Sequence, residues 1–425
     1  MIGTNSFKKA ALALLALPLL YANASAAAND AARIGVVYPK TGIYSSLGPM
    51  HLNGVMMAVE DHGKVLGKKP ELLIRDDGTK VDKAVTAATE LVTKEKVDIL
   101  IGHIHTPINN ALATVADEHK VPFLFPSGGS VFLSGIAKDT PYPKGIVKAN
   151  VHPYMVYTWL DSVQRGFAAI DVAGMYGKRW FFVATDYEHG REAVGFAQKT
   201  LAEKFGDQFK VVGEFWAKQG EVNYTSAITN AMAAKPDVVF VILPGQFVQF
   251  QKQAAALGLT KASHIHWSYG ERVSATAAGD AAYGVTATVD YTVNNPDWKL
   301  SSEFAKRYHA RFGEWPGWPA TSTYQGMRMF LLAIEKAGSL DNAKIMRALQ
   351  GLEDPNPITG RPFMMRACDQ KSIQPLYTVV WTKSEETPPG YWKVLKKYDQ
   401  PEKAVLPCEI KANYDKMEYR SRNDQ

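Results

Sequence analysis

The stretch Arg33-Ile-Gly-Val-Val-Tyr-Pro-Lys-Thr-Gly-Ile-Tyr-Ser-Ser-Leu-Gly48 decides the fold. Ile34–Tyr38 is a short apolar run stopped by Pro39, the pattern of a buried strand. A polar, glycine-bearing loop follows, and then Leu52, Val55, Met56 and Val59 recur at helical spacing. Strand, loop and amphipathic helix in that order open an α/β unit. In an open parallel sheet, ligands bind beyond the carboxyl ends of the strands, so the Thr41–Gly48 loop is a candidate rim of a site.

Upstream of this unit, residues 1–28 have the three parts of a secretory leader. Lys8 and Lys9 form a basic start, Ala10–Leu20 an apolar run, and Ala24-Ser25-Ala26 a small-residue cleavage site. The apolar run is too short to span a bilayer, and no cysteine follows it to carry a lipid anchor. Export to the periplasm through a cleaved leader is therefore expected, with no membrane anchor. Loss of Lys8 and Lys9 lowers the formal charge from +6 to +4, too mild and too dispersed to imply nucleic acid as a partner. An exported chain also has no supply of dinucleotide. The sequence carries no Walker A, G-x-G-x-x-G or G-x-S-x-G pattern, so neither a cofactor nor catalysis is expected.

Downstream the alternation continues. Glu71–Arg75, Val97–Ile101 and Val121–Phe125 are further strands, and Asp82 is placed to cap the helix of Val85, Ala88 and Leu91. A second series starts at Trp180–Thr185 and runs through Phe209–Gly213, Asp237–Leu243 and Ile265–Trp267. Helices follow near Ser302–Phe312 and Thr321–Ala337, and the tail from Ile358 is β-like. The fold class is α/β, with two doubly wound parallel-sheet lobes. Lys148–Pro153 is the candidate first crossover between them. Cys368 and Cys408 are the only cysteines, and in an oxidising compartment they are expected to form one disulfide. Closing a loop of about 40 residues contributes roughly 4 kcal/mol in the chain-entropy account.

The strand ends supply the candidate site. Thr106 is read as an N-cap with Pro107 at the first helical position, which offers backbone N–H groups to a carboxylate. Ser127, Gly128 and Gly129 form an adjacent tight turn. On the second lobe Asp186, Glu188 and Glu271 are candidates for an ammonium or hydroxyl partner, and Tyr44, Tyr187 and Tyr269 for walls. His103 with His105, and His264 with His266, alternate at strand spacing without a third metal ligand nearby, so no metal site is expected. Trp315, Trp318, Tyr324 and Phe330 fit core or loop spacing.

With these motifs in hand, the chain resembles the type I periplasmic solute-binding proteins of ABC importers, of the leucine/isoleucine/valine-binding class. The resemblance rests on Thr41-Gly42, Leu47-Gly48, Ala58-Val-Glu-Asp61, Asp76-Asp77-Gly78, Ile101-Gly102-His103, Pro126-Ser127, Asp237-Val-Val-Phe and Gly258-Leu259, in order. It implies a three-crossover hinge between the lobes. Lobe 1 would comprise residues 29–148 and about 275–357, lobe 2 residues 149–274 and about 358–425. It implies a monomer that captures a small carboxylate-bearing solute, a branched-chain or related amino acid, and delivers it to ABC permease subunits. The implied contacts are Tyr44, Leu47, His105, Thr106, Ser127, Gly128 and Gly129 on one lobe, and Tyr187, His189, Gly245, Tyr269 and Glu271 on the other. Three positions depart from the amino-acid binders: His189 replaces a tyrosine, Pro244-Gly245 an aromatic residue, and Gly129 a hydroxyl residue. The tail around Phe363–Gln370 resembles that of relatives that bind aromatic or other carboxylates. An aromatic or organic acid or an amide is thus the alternative solute. A ligand sensor on the same fold, and a secreted metal-dependent hydrolase, are the other readings.

Overall fold

The computed structural model describes residues 31–128, 152–408 and 418–422. The expected leader over 1–28 and Gly129 lie outside the described residues. The first sheet contains β1 (Arg33–Tyr38), β2 (Glu71–Asp76), β3 (Ile99–Ile101), β4 (Phe123–Phe125) and β5 (Met155–Tyr157), in the order β2-β1-β3-β4-β5. All its pairings are parallel. Successive side chains of β1 point to opposite faces. Ile34 and Val36 pack with Val55 of α1 (Gly48–His62) and Met327 of α11 (Trp318–Ala337). Val37 packs with Leu91 of α2 (Val81–Thr93) and Leu112 of α3 (Thr106–Glu118) on the other face. This two-sided burial is why β1 reads as a continuous apolar run.

The second sheet has seven strands in the order β14-β13-β10-β9-β8-β6-β7. Its parallel part is β6 (Arg179–Thr185), β7 (Lys210–Ala217), β8 (Val238–Ile242), β9 (His264–Trp267) and β10 (Thr286–Val289). β13 (Tyr377–Lys383) and β14 (Gly390–Lys397) add an antiparallel pair at one edge. β11 (Met364–Met365) and β12 (Ser372–Ile373) form a small separate ribbon. Among the described residues, no helix is long and apolar enough to cross a membrane.

The chain passes between the sheets after β5, after β10 and before β13. Two expected boundaries move. Met155–Tyr157 pairs with β4 in the first sheet, so the first passage falls at Thr158–Asp161 rather than within 148–153. Likewise β10 belongs to the second sheet, so the return begins after Val289 rather than near 275. Both strands are short, and each is fixed by pairing with a neighbour distant in the sequence. α4 (Ser162–Tyr176) starts immediately after the first passage with a capping box. Asp161 accepts from Val163 N and Gln164 N, and the Gln164 side chain accepts from Asp161 N. Cys368 and Cys408 are joined in a disulfide, as expected. Arg366 holds the neighbouring tail through Leu406 O at 2.9 Å.

Candidate functional site

The carboxyl ends of the two sheets face each other. From the first sheet come the loop after β1, with Tyr44, the segment His103–His105 after β3, and Ser127–Gly128 after β4. From the second come Tyr187–His189 after β6, Gly245 after β8 and Tyr269–Glu271 after β9. The lobes meet where Tyr44 covers Gly245. A Cβ built on Gly245 lies 3.4 Å from Tyr44 Cε1, and Gly245 holds φ 71°, a left-handed backbone that favours glycine. Tyr44 also stands 5.4 Å from the His105 ring.

Behind Tyr44 the interface is aromatic. Trp159, in the first passage, stacks on Trp318 of the first lobe at 4.1 Å and on Tyr269 of the second at 5.5 Å. Tyr269 shares a hydroxyl contact of 3.2 Å with Tyr187, and its ring meets His189 edge-on at 5.7 Å. Arg165, from the first turn of α4, lays its guanidinium 4.3 Å over Trp159 and 5.0 Å over Tyr269. Its Nη1 donates to Ser268 O and, at 3.2 Å, to Thr288 O, so the group sits over the carboxyl ends of β9 and β10.

The polar groups divide into those already committed and those facing the interface. His103 Nε2 lies 2.6 Å from Asp77 Oδ2, an ion-pair distance, with both side chains buried. This pair anchors the end of β3 to the loop after β2. Asn109 accepts from His103 N and donates to His105 O, which closes the first turn of α3. The N-cap is therefore His105, and Thr106 is the first helical residue, one position later than expected. A similar shift places Asp82 inside the first turn of α2 behind the N-cap Lys80. Both ring nitrogens of His105 lack a hydrogen-bond partner among the described residues, and burial followed by the nearby His103 pushes its pKa down to about 4.

Ser127 belongs to a directed chain. Thr323 Oγ1 donates to Pro319 O at 2.7 Å, so it accepts from His51 Nδ1 at 2.9 Å. Burial holds His51 neutral, its pKa pushed down to about 3, so Nε2 keeps a lone pair. The Ser127 hydroxyl lies 3.3 Å from that lone pair and donates to it. The one proton of Ser127 is thus committed to His51.

Glu271 and Asp186 of the second lobe are also engaged. Glu271 accepts from Val273 N at 2.7 Å and Ser274 N at 2.6 Å, capping α9 (Arg272–Ala278) with both oxygens. Asp186 is exposed and pairs with Arg191 at 2.7 Å. Burial pushes the Glu188 carboxyl above its ordinary value. His189 Nδ1 meets Ser162 Oγ at 3.2 Å. Leu47 is buried in the core as the N-cap of α1. Gly128 accepts from the Tyr157 hydroxyl through its carbonyl. The histidines on β9 turn inward, His264 and His266 both meeting Thr286 Oγ1.

The structure therefore brings Tyr44, His105, Tyr187, His189, Gly245 and Tyr269 together, and it adds three residues that sequence reasoning missed: Trp159, Arg165 and Trp318. Trp318 fitted core spacing, yet it forms part of the interlobe stack. Arg165 carried two signals: the Asp161–Gln164 capping box just before it, and a position among Gly166, Ala168, Ala169 and Val172 on the buried face of α4. A charge on such a face needs a reason.

Comparison with known proteins agrees with this architecture. The periplasmic binding protein family matches over residues 31–386. The Leu/Ile/Val-binding protein homolog 6 of Brucella suis biovar 1 is 25% identical over 356 residues, covering 81% of this chain and 87% of that protein. A solute-binding protein of an ABC transporter from Rhodopseudomonas palustris BisB5, solved in complex with 3,4-dihydroxybenzoic acid, superposes with a TM-score of 0.77 at 26% identity, covering 87% of this chain and 97% of that one. The leucine-binding protein of Thermotoga maritima MSB8 shares the fold, with a TM-score of 0.70 at 23% identity over 82% of this chain and 95% of that one. The family match over most of the chain, together with two parallel-rich sheets facing each other across their carboxyl ends, shows that the chain belongs to the periplasmic binding protein family and is a non-enzymatic solute-binding component of an ABC transporter.

Proposed function

We propose that this chain captures a small aromatic carboxylic acid between its lobes and delivers it to ABC permease subunits from the periplasm, acting as a monomer after removal of its leader. The observation that carries this reading is Glu271. An amino-acid binder needs an acidic partner for the α-ammonium, and the residue expected to fill that role is buried and already accepts from Val273 N and Ser274 N as the cap of α9. The walls favour a flat apolar body instead, with Trp159, Trp318 and Tyr269 stacked beside Tyr44 and Tyr187. The Rhodopseudomonas relative with 3,4-dihydroxybenzoic acid supports the same class of solute. Branched-chain amino acids become the weaker reading. Closure about the three passages traps the solute, and the closed form is the one the permease engages.

Thermal-shift measurement of the purified chain tests this. Benzoate, 4-hydroxybenzoate and 3,4-dihydroxybenzoate are compared with leucine, isoleucine and valine. A ligand at 100 times its Kd adds about 2.7 kcal/mol to stability, a readily measured shift. Shifts with the aromatic acids and none with the amino acids support the reading; the reverse pattern overturns it.

A further inference from the structure

We propose that Arg165 is the carboxylate anchor, so that the acid group of the solute is held on the second lobe, by the side-on Nε/Nη2 edge of this guanidinium. The proposal rests on the aromatic-acid reading above and names the residue that would confer it.

Arg165 is 1% exposed, and among the described residues only its Nη1 has a hydrogen-bond partner. Nη1 binds the two strand-end carbonyls of Ser268 and Thr288. Nε and Nη2 are buried and have no hydrogen-bond partner among the described residues. Those two nitrogens form the edge that meets a carboxylate through two parallel N–H···O bonds. The guanidinium is fixed by stacking on Trp159 and Tyr269, so the edge is pre-oriented within the interlobe interface.

Charge makes the same demand. No carboxylate lies within ion-pair distance of Arg165 among the described residues. Asp161 is spent on the cap of α4 and on Lys371 at 3.3 Å. Asp290 feels Arg165 but makes no ion pair with it, and burial keeps its carboxyl largely protonated below neutral pH. A buried cation without a counter-ion is costly, and a solute carboxylate removes that cost on binding.

The Ser127 proton is committed to His51 Nε2, and His105 is neutral over the physiological range. Neutral His105 suits a hydroxyl, which both donates and accepts. A hydroxylated benzoate therefore fits with its acid at Arg165 and its hydroxyl toward His105.

The test uses calorimetric titration of 4-hydroxybenzoate and its neutral analogue 4-hydroxybenzamide into the wild-type chain, Arg165→Gln and Arg165→Lys. The wild type should prefer the acid on the order of 10- to 100-fold, the span of one charged hydrogen-bonded contact. Both variants should lose that preference, the acid weakening more than the amide by about that factor, since lysine restores charge but not the paired edge. Acid binding with the preference intact in both variants overturns the assignment of Arg165 and leaves the aromatic-acid reading standing. If neither variant folds, the crystal structure of the wild type with 4-hydroxybenzoate decides. A carboxylate on Arg165 Nε and Nη2 supports the proposal, and one seated on the Thr106 helix terminus overturns it. Failure of every aromatic acid to bind the wild type overturns the underlying reading and this proposal with it.

Discussion

Lys371 Nζ lies 3.3 Å from Asp161 Oδ2, both side chains are buried, and the pair ties the first passage between the lobes to the third. Lys371 also donates to Trp159 O at 2.8 Å, so the same ammonium fixes the backbone beneath the aromatic stack. The hinge is thus a charged, hydrogen-bonded junction.

Breaking this junction should be expensive. Lys371→Met leaves the Asp161 carboxylate buried without its cation, which costs about 3–5 kcal/mol. Urea denaturation should show a lower midpoint with little change in slope, because the surface exposed on unfolding is nearly the same. A midpoint equal to wild type would remove Lys371 from the hinge account.

Asp290 should make stability fall as pH rises. Burial pushes its carboxyl up to about 7, above its ordinary value, so the folded chain binds a proton that the unfolded chain has lost. Below pH ~4 both states are protonated and the residue contributes no pH dependence. Between pH ~4 and pH ~7 the penalty for ionising it in the folded state grows, and above pH ~7 it levels off. Asp290→Asn should therefore gain melting temperature relative to wild type as pH rises from 5 to 8, by roughly 2–4 °C per kcal/mol of penalty removed. A constant difference across that range would contradict the buried-carboxyl account.

Gly245→Val should weaken solute binding by opposing closure of the lobes. The residue holds φ 71°, where a β-branched side chain is strained, and its Cβ position is in contact with Tyr44 across the interface. The backbone strain weighs on open and closed forms alike, while the added side chain presses on Tyr44 only when the lobes meet, so the closed form is disfavoured and apparent affinity falls, on the order of 10-fold. Small-angle scattering should show a larger radius of gyration at equal ligand saturation if the lobes stay apart. An unchanged affinity would mean that Tyr44 and Gly245 do not meet in the bound form.

Reduction of Cys368–Cys408, or Cys408→Ser, should release the tail that Arg366 holds through Leu406 O. The expected loss is about 2–4 kcal/mol, read as a lower melting temperature for the wild type in reductant, which Cys408→Ser shows with and without reductant. Equal melting with and without reductant in the wild type would make the bridge stability-neutral.

Much of this molecule is legible in its sequence, and the reasons differ by element. β1, β4 and β6 are doubly buried, so their apolar runs end sharply at Pro39, Pro126 and Asp186. Their carboxyl ends, and with them Tyr44, His105 and Tyr187, follow from that pattern. Met155–Tyr157 was hidden because three residues carry no periodicity; its identity as a strand comes from lying beside Phe123–Phe125. Glu271 was legible as a polar strand-end residue but not as the cap of α9, because a carboxylate ahead of a helix is equally a cap and a ligand partner, and its contacts to Val273 N and Ser274 N appear only in the fold. Arg165, Trp159 and Trp318 were missed because their roles depend on packing between segments far apart in the chain. Arg165 reaches Ser268 and Thr288, and Trp159 meets Trp318, and no local window contains either relation.

The stack that runs from Trp318 through Trp159 to Tyr269 gives this protein an intrinsic optical gauge. The rings of Trp159 and Trp318 stack 4.1 Å apart with their planes inclined by 23°, close enough for their electronic transitions to couple. Tyr269 belongs to the other lobe, so each opening of the lobes alters one side of that chromophore assembly. Near-ultraviolet circular dichroism, on unlabelled chain, becomes a direct record of how far the jaws stand open and how fast they shut.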